Sequence, residues 1–313
     1  MYQVEDIRHL HLELSSDCNA RCPLCPRSFY GFPHDTGNPV ANLSLAQLQS
    51  IIEPEQIAQL EEILISGGYG DFVMNPESRE IIAWLREHNP YCVIKISTNG
   101  GYREKEWWAS LAEYSVEIMF CIDGLEATHS IYRQDVDYAV VIKNAKAFIK
   151  SGGYAEWVFT RFEHNHLEIA ACEQRAREIG FANFTVRDEG RNEGPVYDRE
   201  GKKIFILGDR PNHFPHRVDT TAADKILRFR KRLVSRPDVK INCQVLKQRS
   251  IYISSTGEIM PCCYLAMRTT MPEIDPGLPR SLTLREAVAT FSQISDSWNN
   301  EPLTGCQNFC GSR

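Results

Sequence analysis

Three cysteines stand within eight residues near the start of the chain, in Ser16-Asp17-Cys18-Asn19-Ala20-Arg21-Cys22-Pro23-Leu24-Cys25. A loop of that length can wrap three sulfurs around one metal centre, and thiolates suit iron–sulfur clusters or zinc. Three ligands rather than four matter. A cubane on three cysteines keeps one iron open to a substrate or cofactor, whereas a structural site is closed. A zinc knuckle that borrows its fourth ligand from elsewhere is the competing expectation. A second group, Cys243, Cys262, Cys263, Cys306 and Cys310, lies toward the end, and only Cys92, Cys121 and Cys172 are isolated. Eleven cysteines in 313 residues is an odd count, far below the density of a disulfide scaffold. In a reducing cytosol such clusters point to metal binding or catalysis.

These thiols need elements to hold them. Apolar, β-rich runs at 9–14, 63–66, 92–97, 117–122, 156–162 and 181–187 predict six strands. Helical patterns fall between them at 44–60 (with Pro54 as a break), 76–88, 104–113, 138–151 and 167–179. Strands alternating with helices imply a parallel sheet with right-handed crossovers. Periodicity alone fits an open doubly wound sheet or a partial barrel, and either gathers ligands at the C-terminal ends of the strands. After Gly190 the pattern changes to a stretch rich in Gly, Pro, Arg and Lys, with one helix expected over 222–233. A hairpin turning at Thr256-Gly257 and a helix over 283–294 then lead to the last cysteines. The expected boundary lies near residue 190.

Composition excludes several classes. Hydrophobic residues at 42% and charged residues at 24% are ordinary globular values, so general disorder is excluded. A net charge of −6 argues against wholesale nucleic-acid binding. No apolar run approaches a membrane span, and the opening MYQVEDIRHLHLEL has no signal-peptide core, so a cytoplasmic protein without a membrane partner is expected.

The C-x3-C-x2-C loop resembles that of the radical S-adenosylmethionine (radical SAM) superfamily, and the resemblance extends through three further motifs. Ser66-Gly67-Gly68-Tyr69-Gly70-Asp71 follows the second expected strand and is similar to the family's Gly-Gly-Glu methionine-binding turn. Ser97-Thr98-Asn99-Gly100 follows the third, like the segment near the ribose. Ile122-Asp123-Gly124 and Thr128-His129-Ser130-Ile131-Tyr132-Arg133 follow the fourth. Leu24 stands where the family usually has an aromatic residue, and Gly70-Asp71 departs from the simpler Gly-Gly-Glu.

The resemblance implies an α/β fold: a partial (β/α)6 TIM-like barrel over 1–190, then a linker and a small C-terminal α+β twitch or SPASM-like cluster domain over 191–313. It implies a [4Fe–4S] cluster on Cys18, Cys22 and Cys25, with SAM at its open iron. Reductive cleavage of SAM would give a 5′-deoxyadenosyl radical that abstracts hydrogen from a substrate C–H. The implied SAM contacts are Gly67, Gly68, Asp71, Ser97, Asn99, Asp123 and Arg133, although Asp123 and Arg133 could equally be a structural ion pair.

Cys243, a glycine turn at Gly257, Cys262, Cys306 and Cys310 resemble a twitch domain holding one auxiliary [4Fe–4S] cluster on four cysteines. Its terminal C-x3-C departs from the usual C-x2-C, and a structural zinc ribbon is the alternative. With Cys262-Cys263 placed on a strand, neighbouring side chains point apart. Cys262 is then the ligand, while Cys263 is either a buried small hydrophobe or a hydrogen-atom donor.

The implied reaction is oxidation (dehydrogenation) or rearrangement, with an oxidoreductase-type outcome if the auxiliary cluster accepts the substrate electron. A peptide or protein maturase is the alternative. The cluster loop at residue 18 leaves no room for a leader-binding domain before it, an expectation that a separate recognition partner would remove. A zinc-stabilised binding protein is the non-enzyme alternative. Residues 191–240 carry 13 Lys/Arg against 7 Asp/Glu, a net of +6 that leaves −12 for the rest. Such asymmetry suggests an anionic substrate or an acidic electron donor such as flavodoxin, against a solvated helix face over 225–232. His164, His166, His213 and His216 read as loop residues, and Trp107-Trp108 as packing.

Overall fold

The computed structural model describes residues 3–33, 39–188, 194–208, 217, 239–266, 281 and 283–312. The chain forms two compact units. One comprises residues 1–16, 37–94 and 226–313, and the other 17–36 and 95–225.

All six strands expected from the alternation are present. They are β1 (His9–Leu12), β2 (Glu62–Ile65), β3 (Val93–Thr98), β4 (Glu117–Cys121), β5 (Tyr154–Arg161) and β6 (Asn183–Asp188). Two more, β7 (Ser250–Ile253) and β8 (Ile259–Met260), make the expected hairpin, whose turn needs Gly257 at φ +81°.

In the first unit the strand order is β8-β7-β1-β2. β1 runs parallel to β2, with His9 opposite Glu62, and also parallel to β7, with His9 opposite Ser250. Leu10, Leu12, Ile63, Ile65, Ile251 and Ile253 are buried, as period-2 alternation requires. The helix Ser78–His88 buries Ser78, Ile81, Ile82 and Leu85, one stripe at helical spacing. Pro54 breaks the expected long helix as anticipated. It opens a second short helix, Pro54–Ala58, where its missing N–H costs nothing. β7 joins β1, and this pairing places the C-terminal segment in the first unit.

In the second unit β3, β4, β5 and β6 are all parallel, in that order. The helices Lys105–Ser110, Tyr138–Lys150 and Ile169–Ile179 alternate with them. Trp108, Phe120, Phe148 and Trp157 fill the core. Trp108 lies 5.2 Å from Phe120 between ring centroids, and its indole N–H donates to the Tyr102 carbonyl, so packing is its role. A small antiparallel pair, Gly194–Tyr197 with Lys203–Leu207, packs Val196, Phe205 and Leu207 against the first cysteine loop. No described helix is long and apolar enough to cross a membrane. The expected helix over 222–233, the charge stretch 225–232, His213 and His216 lie outside the described residues.

Candidate functional site

The loop carrying Cys18, Cys22 and Cys25 belongs to the second unit. Arg27 pins it by donating to the Cys18 carbonyl (3.1 Å) and to Asp17 (3.2 Å), and Cys25 N–H closes a turn on the Cys22 carbonyl (3.0 Å). Cys22 is buried, with Ala20, Leu24, Tyr132 and Phe162 among its apolar neighbours. Leu24 thus packs into the apolar shell beside Cys22. Burial pushes the Cys22 thiol up to about 11, while Arg133 pulls it down.

The sulfurs accept hydrogen bonds. Ala20 N–H and the Asn99 side-chain amide donate to Cys18 Sγ (3.4 and 3.6 Å), and Arg133 Nη1 donates to Cys22 Sγ (3.7 Å). Among the described residues, no three His, Cys, Asp or Glu side chains converge on one ion position. Three thiols with N–H donors on their sulfurs and an apolar shell are a ligand set that an iron–sulfur cluster can use.

Asn99 and Asn19 exchange amide hydrogen bonds (2.9 and 3.3 Å), and Asn99 Oδ1 also accepts from Gly101 N–H (2.8 Å). Ser97 Oγ lies 3.5 Å from Cys121 Sγ. Asp123 and Arg133 form the ion pair that the sequence left open. Asp123 is fully buried and accepts from Arg133 Nε (2.6 Å) and from Thr160 N–H (2.6 Å), so both its oxygens are engaged within the protein. Burial opposes the Arg133 charge, but Asp123 outweighs it and raises the guanidinium well above its ordinary value. His129 Nδ1 accepts from Asp123 N–H (3.2 Å), which places its proton on Nε2. Burial holds this ring neutral, down to about 4. Asn165, between the two loop histidines, is buried and braces the same corner by donating to the carbonyls of Asp123 (3.2 Å) and Thr160 (3.0 Å). His166 is exposed and His164 half-buried.

The glycine turn belongs to the first unit. A Cβ at Gly67 would come 2.1 Å from the Gly70 carbonyl oxygen, so the turn requires glycine there. Asp71, buried, caps the following turn by accepting from Val73 N–H (3.3 Å). Sequence reasoning missed Glu13. Its carboxylate, just past β1 and 1% exposed, accepts from Tyr69 N–H (2.7 Å), Gly70 N–H (3.3 Å) and the Tyr252 hydroxyl (2.5 Å). It organises the turn from beneath. Burial raises its pKa, and these donors lower it. The signal was a lone acid inside the apolar run Leu10-His11-Leu12-Glu13-Leu14.

Cys243, Cys262, Cys306 and Cys310 also gather in the first unit. Cys306 and Cys310 are four apart on the helix Thr304–Cys310, hence on one face. The pairing of Lys240–Ile241 with Gly311–Ser312 brings Cys243 to that face. Cys243 and Cys310 share a hydrogen bond that draws the Cys243 thiol down to about 6, helped by the amides of Leu246 and Val245 and by Lys247, and drives Cys310 up. Cys310 feels the charges of Cys262 and Cys306, and burial raises Cys262. Cys263 adds its charge to Cys262. It is pushed up to about 11, by burial first, with the Glu13 carboxylate adding. The pair is not on a strand, however: β8 ends at Met260 and Cys263 starts the short helix Cys263–Ala266. Strand alternation therefore does not separate the two thiols.

No protein-family model matches the chain. The Pyrococcus furiosus "tungsten-containing aldehyde ferredoxin oxidoreductase cofactor-modifying protein" is 24% identical over 175 residues, 55% of this chain and 46% of that protein. The chain thus spans under half the length of that curated relative. Among solved structures, Streptococcus suis SuiB bound to S-adenosylmethionine superposes with a TM-score of 0.58 at 14% identity, covering 96% of this chain and 67% of SuiB. The enzyme anSMEcpe with bound AdoMet gives 0.51 at 15% identity, covering 82% and 71%.

Proposed function

We propose that this chain, whose fold is that of the radical SAM enzymes, cleaves S-adenosylmethionine reductively and abstracts hydrogen from a substrate C–H. The observation that carries the proposal is the three-cysteine loop with amide and guanidinium donors on its sulfurs and an apolar shell around Cys22. A [4Fe–4S] cluster on Cys18, Cys22 and Cys25 would supply the electron that splits the sulfonium of SAM and so the 5′-deoxyadenosyl radical. The chain's own residues do the rest. Leu24, Tyr132 and Phe162 exclude water from the loop. Gly67 and Gly68 present backbone polar groups at close approach, with Asp71 and Glu13 fixing the turn, for the methionine end of SAM. Ser97 and Asn99 serve the ribose side, and Asp123 locks Arg133.

Cys243, Cys262, Cys306 and Cys310 are assigned to an auxiliary [4Fe–4S] cluster of the twitch type, able to take the electron left on the substrate. Cys263, which feels the Glu13 charge, is assigned as a hydrogen-atom donor. If the auxiliary cluster takes the substrate electron, the net reaction is an oxidation. If Cys263 instead returns a hydrogen atom, the substrate is rearranged, and one electron and one proton restore the resulting thiyl radical to a thiol. The electrons for this and for SAM cleavage come from an acidic donor such as flavodoxin.

For the substrate, a peptide is favoured over an anionic small molecule. SuiB has been crystallised with the precursor peptide SuiA, and anSMEcpe with the Cp18Cys peptide. The test is anaerobic reconstitution followed by incubation with SAM and dithionite. Two four-iron cubes give about eight irons per chain, and 5′-deoxyadenosine forms. Replacing Cys18, Cys22 and Cys25 together with Ala should remove about half of that iron and all cleavage. Cleavage that persists in the triple variant refutes the proposal, and colourless protein holding zinc favours a binding protein.

A further inference from the structure

We infer that Arg133 and Asn99 set the reduction potential of the cluster through hydrogen bonds to its cysteine sulfurs, rather than acting only as contacts for SAM. The inference rests on the assignment of a cluster to Cys18, Cys22 and Cys25. Asn99 Nδ2 points at Cys18 Sγ (3.6 Å) and Arg133 Nη1 at Cys22 Sγ (3.7 Å), so side chains from the end of β3 and from the end of the short helix His129–Tyr132 reach two of the three sulfurs. Both donors are held from behind. Asn99 is 4% exposed and exchanges amide bonds with Asn19. Arg133 is 17% exposed and clamped through Nε by the fully buried Asp123.

A donor on a cluster sulfur stabilises the added electron and raises the potential. One electron enters from a low-potential one-electron donor such as dithionite, and no proton travels with it, because the guanidinium and the amide keep theirs. Asp123 tempers this effect. Its charge cancels much of the long-range field of Arg133, so the directed N–H rather than the bare charge is what Cys22 receives. Asp123 also makes Arg133 hard to remove singly, since a buried carboxylate would be left unpaired.

The experiment uses the reconstituted full chain and follows, in an EPR-monitored redox titration, the reduced-cluster signal that changes when SAM is added. The variants are Asn99→Leu, Arg133→Met and the double variant Asp123→Asn with Arg133→Met, which leaves no unpaired charge. Each should keep its iron and reduce at a more negative potential. At a fixed solution potential the reduced fraction should fall about threefold for Asn99→Leu and about tenfold for the Arg133 variants, the latter corresponding to about 59 mV for a one-electron couple. Potentials unchanged in iron-replete Asn99→Leu and double variants overturn the inference. Loss of iron from all three variants overturns it in favour of a purely structural role. A wild-type chain that takes up no cluster overturns the functional assignment, and this inference with it.

Discussion

Replacing Glu13 tests how the glycine turn is held. The partners of this carboxylate are donors: the backbone amides of Tyr69 and Gly70 and the Tyr252 hydroxyl, with the Gly68 amide adding to them. Glu13→Leu removes the acceptor from Tyr69 N–H and from the phenol, in a place where Glu13 itself is 1% exposed. Two buried donors deprived of their acceptor cost about 1–3 kcal/mol each, so the variant should lose about 2–6 kcal/mol locally. Glu13→Gln keeps one oxygen for the turn and offers an amide N–H to a rotated phenol, and should lose under about 1.5 kcal/mol.

Ionisation adds a signature with a definite sign. Burial lifts the Glu13 pKa above its ordinary 4.5, so the folded chain binds the proton more tightly than the unfolded chain. Stability therefore falls as pH rises from 4.5 through the raised value and is flat above it. Glu13→Gln lacks that slope and should gain on the wild type across the window. Hydrogen exchange at the Tyr69 and Gly70 amides, with thermal unfolding from pH 4 to 9, reads both effects. If Glu13→Leu leaves those two amides as protected as in the wild type, Glu13 does not organise the turn.

Three further outcomes are expected. Cys262→Ala should lose the auxiliary iron and keep SAM cleavage while Cys263→Ala keeps both clusters, as iron analysis of each will show. Loss of four irons from Cys263→Ala would mean the ligand is misassigned by one residue. Gly67→Ala, whose Cβ would lie 2.1 Å from the Gly70 oxygen, should weaken SAM binding at least tenfold by calorimetry while leaving the cysteine-bound iron in place. His129, neutral and held down to about 4 by burial, contributes stability that is present above its unfolded value of 6.5 and lost as pH falls toward 4. That window is worth on the order of 3 kcal/mol, and His129→Phe should flatten the pH dependence of unfolding across it.

Local pattern carried much of the architecture. Alternating apolar residues located all six strands within about two or three residues of their observed ends, and Pro54 marked its break because the loss of an N–H is a local event. Cysteine spacing marked both groups of thiols for the same reason. What escaped notice depends on contacts between distant residues. Glu13 looks like one acid in a strand until Tyr252 arrives, and Asn99 and Arg133 suggest SAM until they are seen facing sulfur. The placement of Cys263 failed more narrowly. The apolar stretch through Met260 reads as strand, and nothing in Cys263-Tyr264-Leu265-Ala266 announces a helical turn by periodicity in four residues.

The pairing of β1 with β7 has a consequence for how the chain is made. His9 cannot meet Ser250 until the chain has been synthesised past residue 250. At about 5–20 residues per second, β1 leaves the ribosome some tens of seconds before its partner does. The second unit, complete by residue 225, can fold during that interval, so the unit containing the N-terminus is the later of the two to finish. Until then one edge of β1 shows unpaired amides and carbonyls, a template for pairing with another chain. A nascent chain arrested near residue 230 should be captured by chaperones that ignore the full-length product.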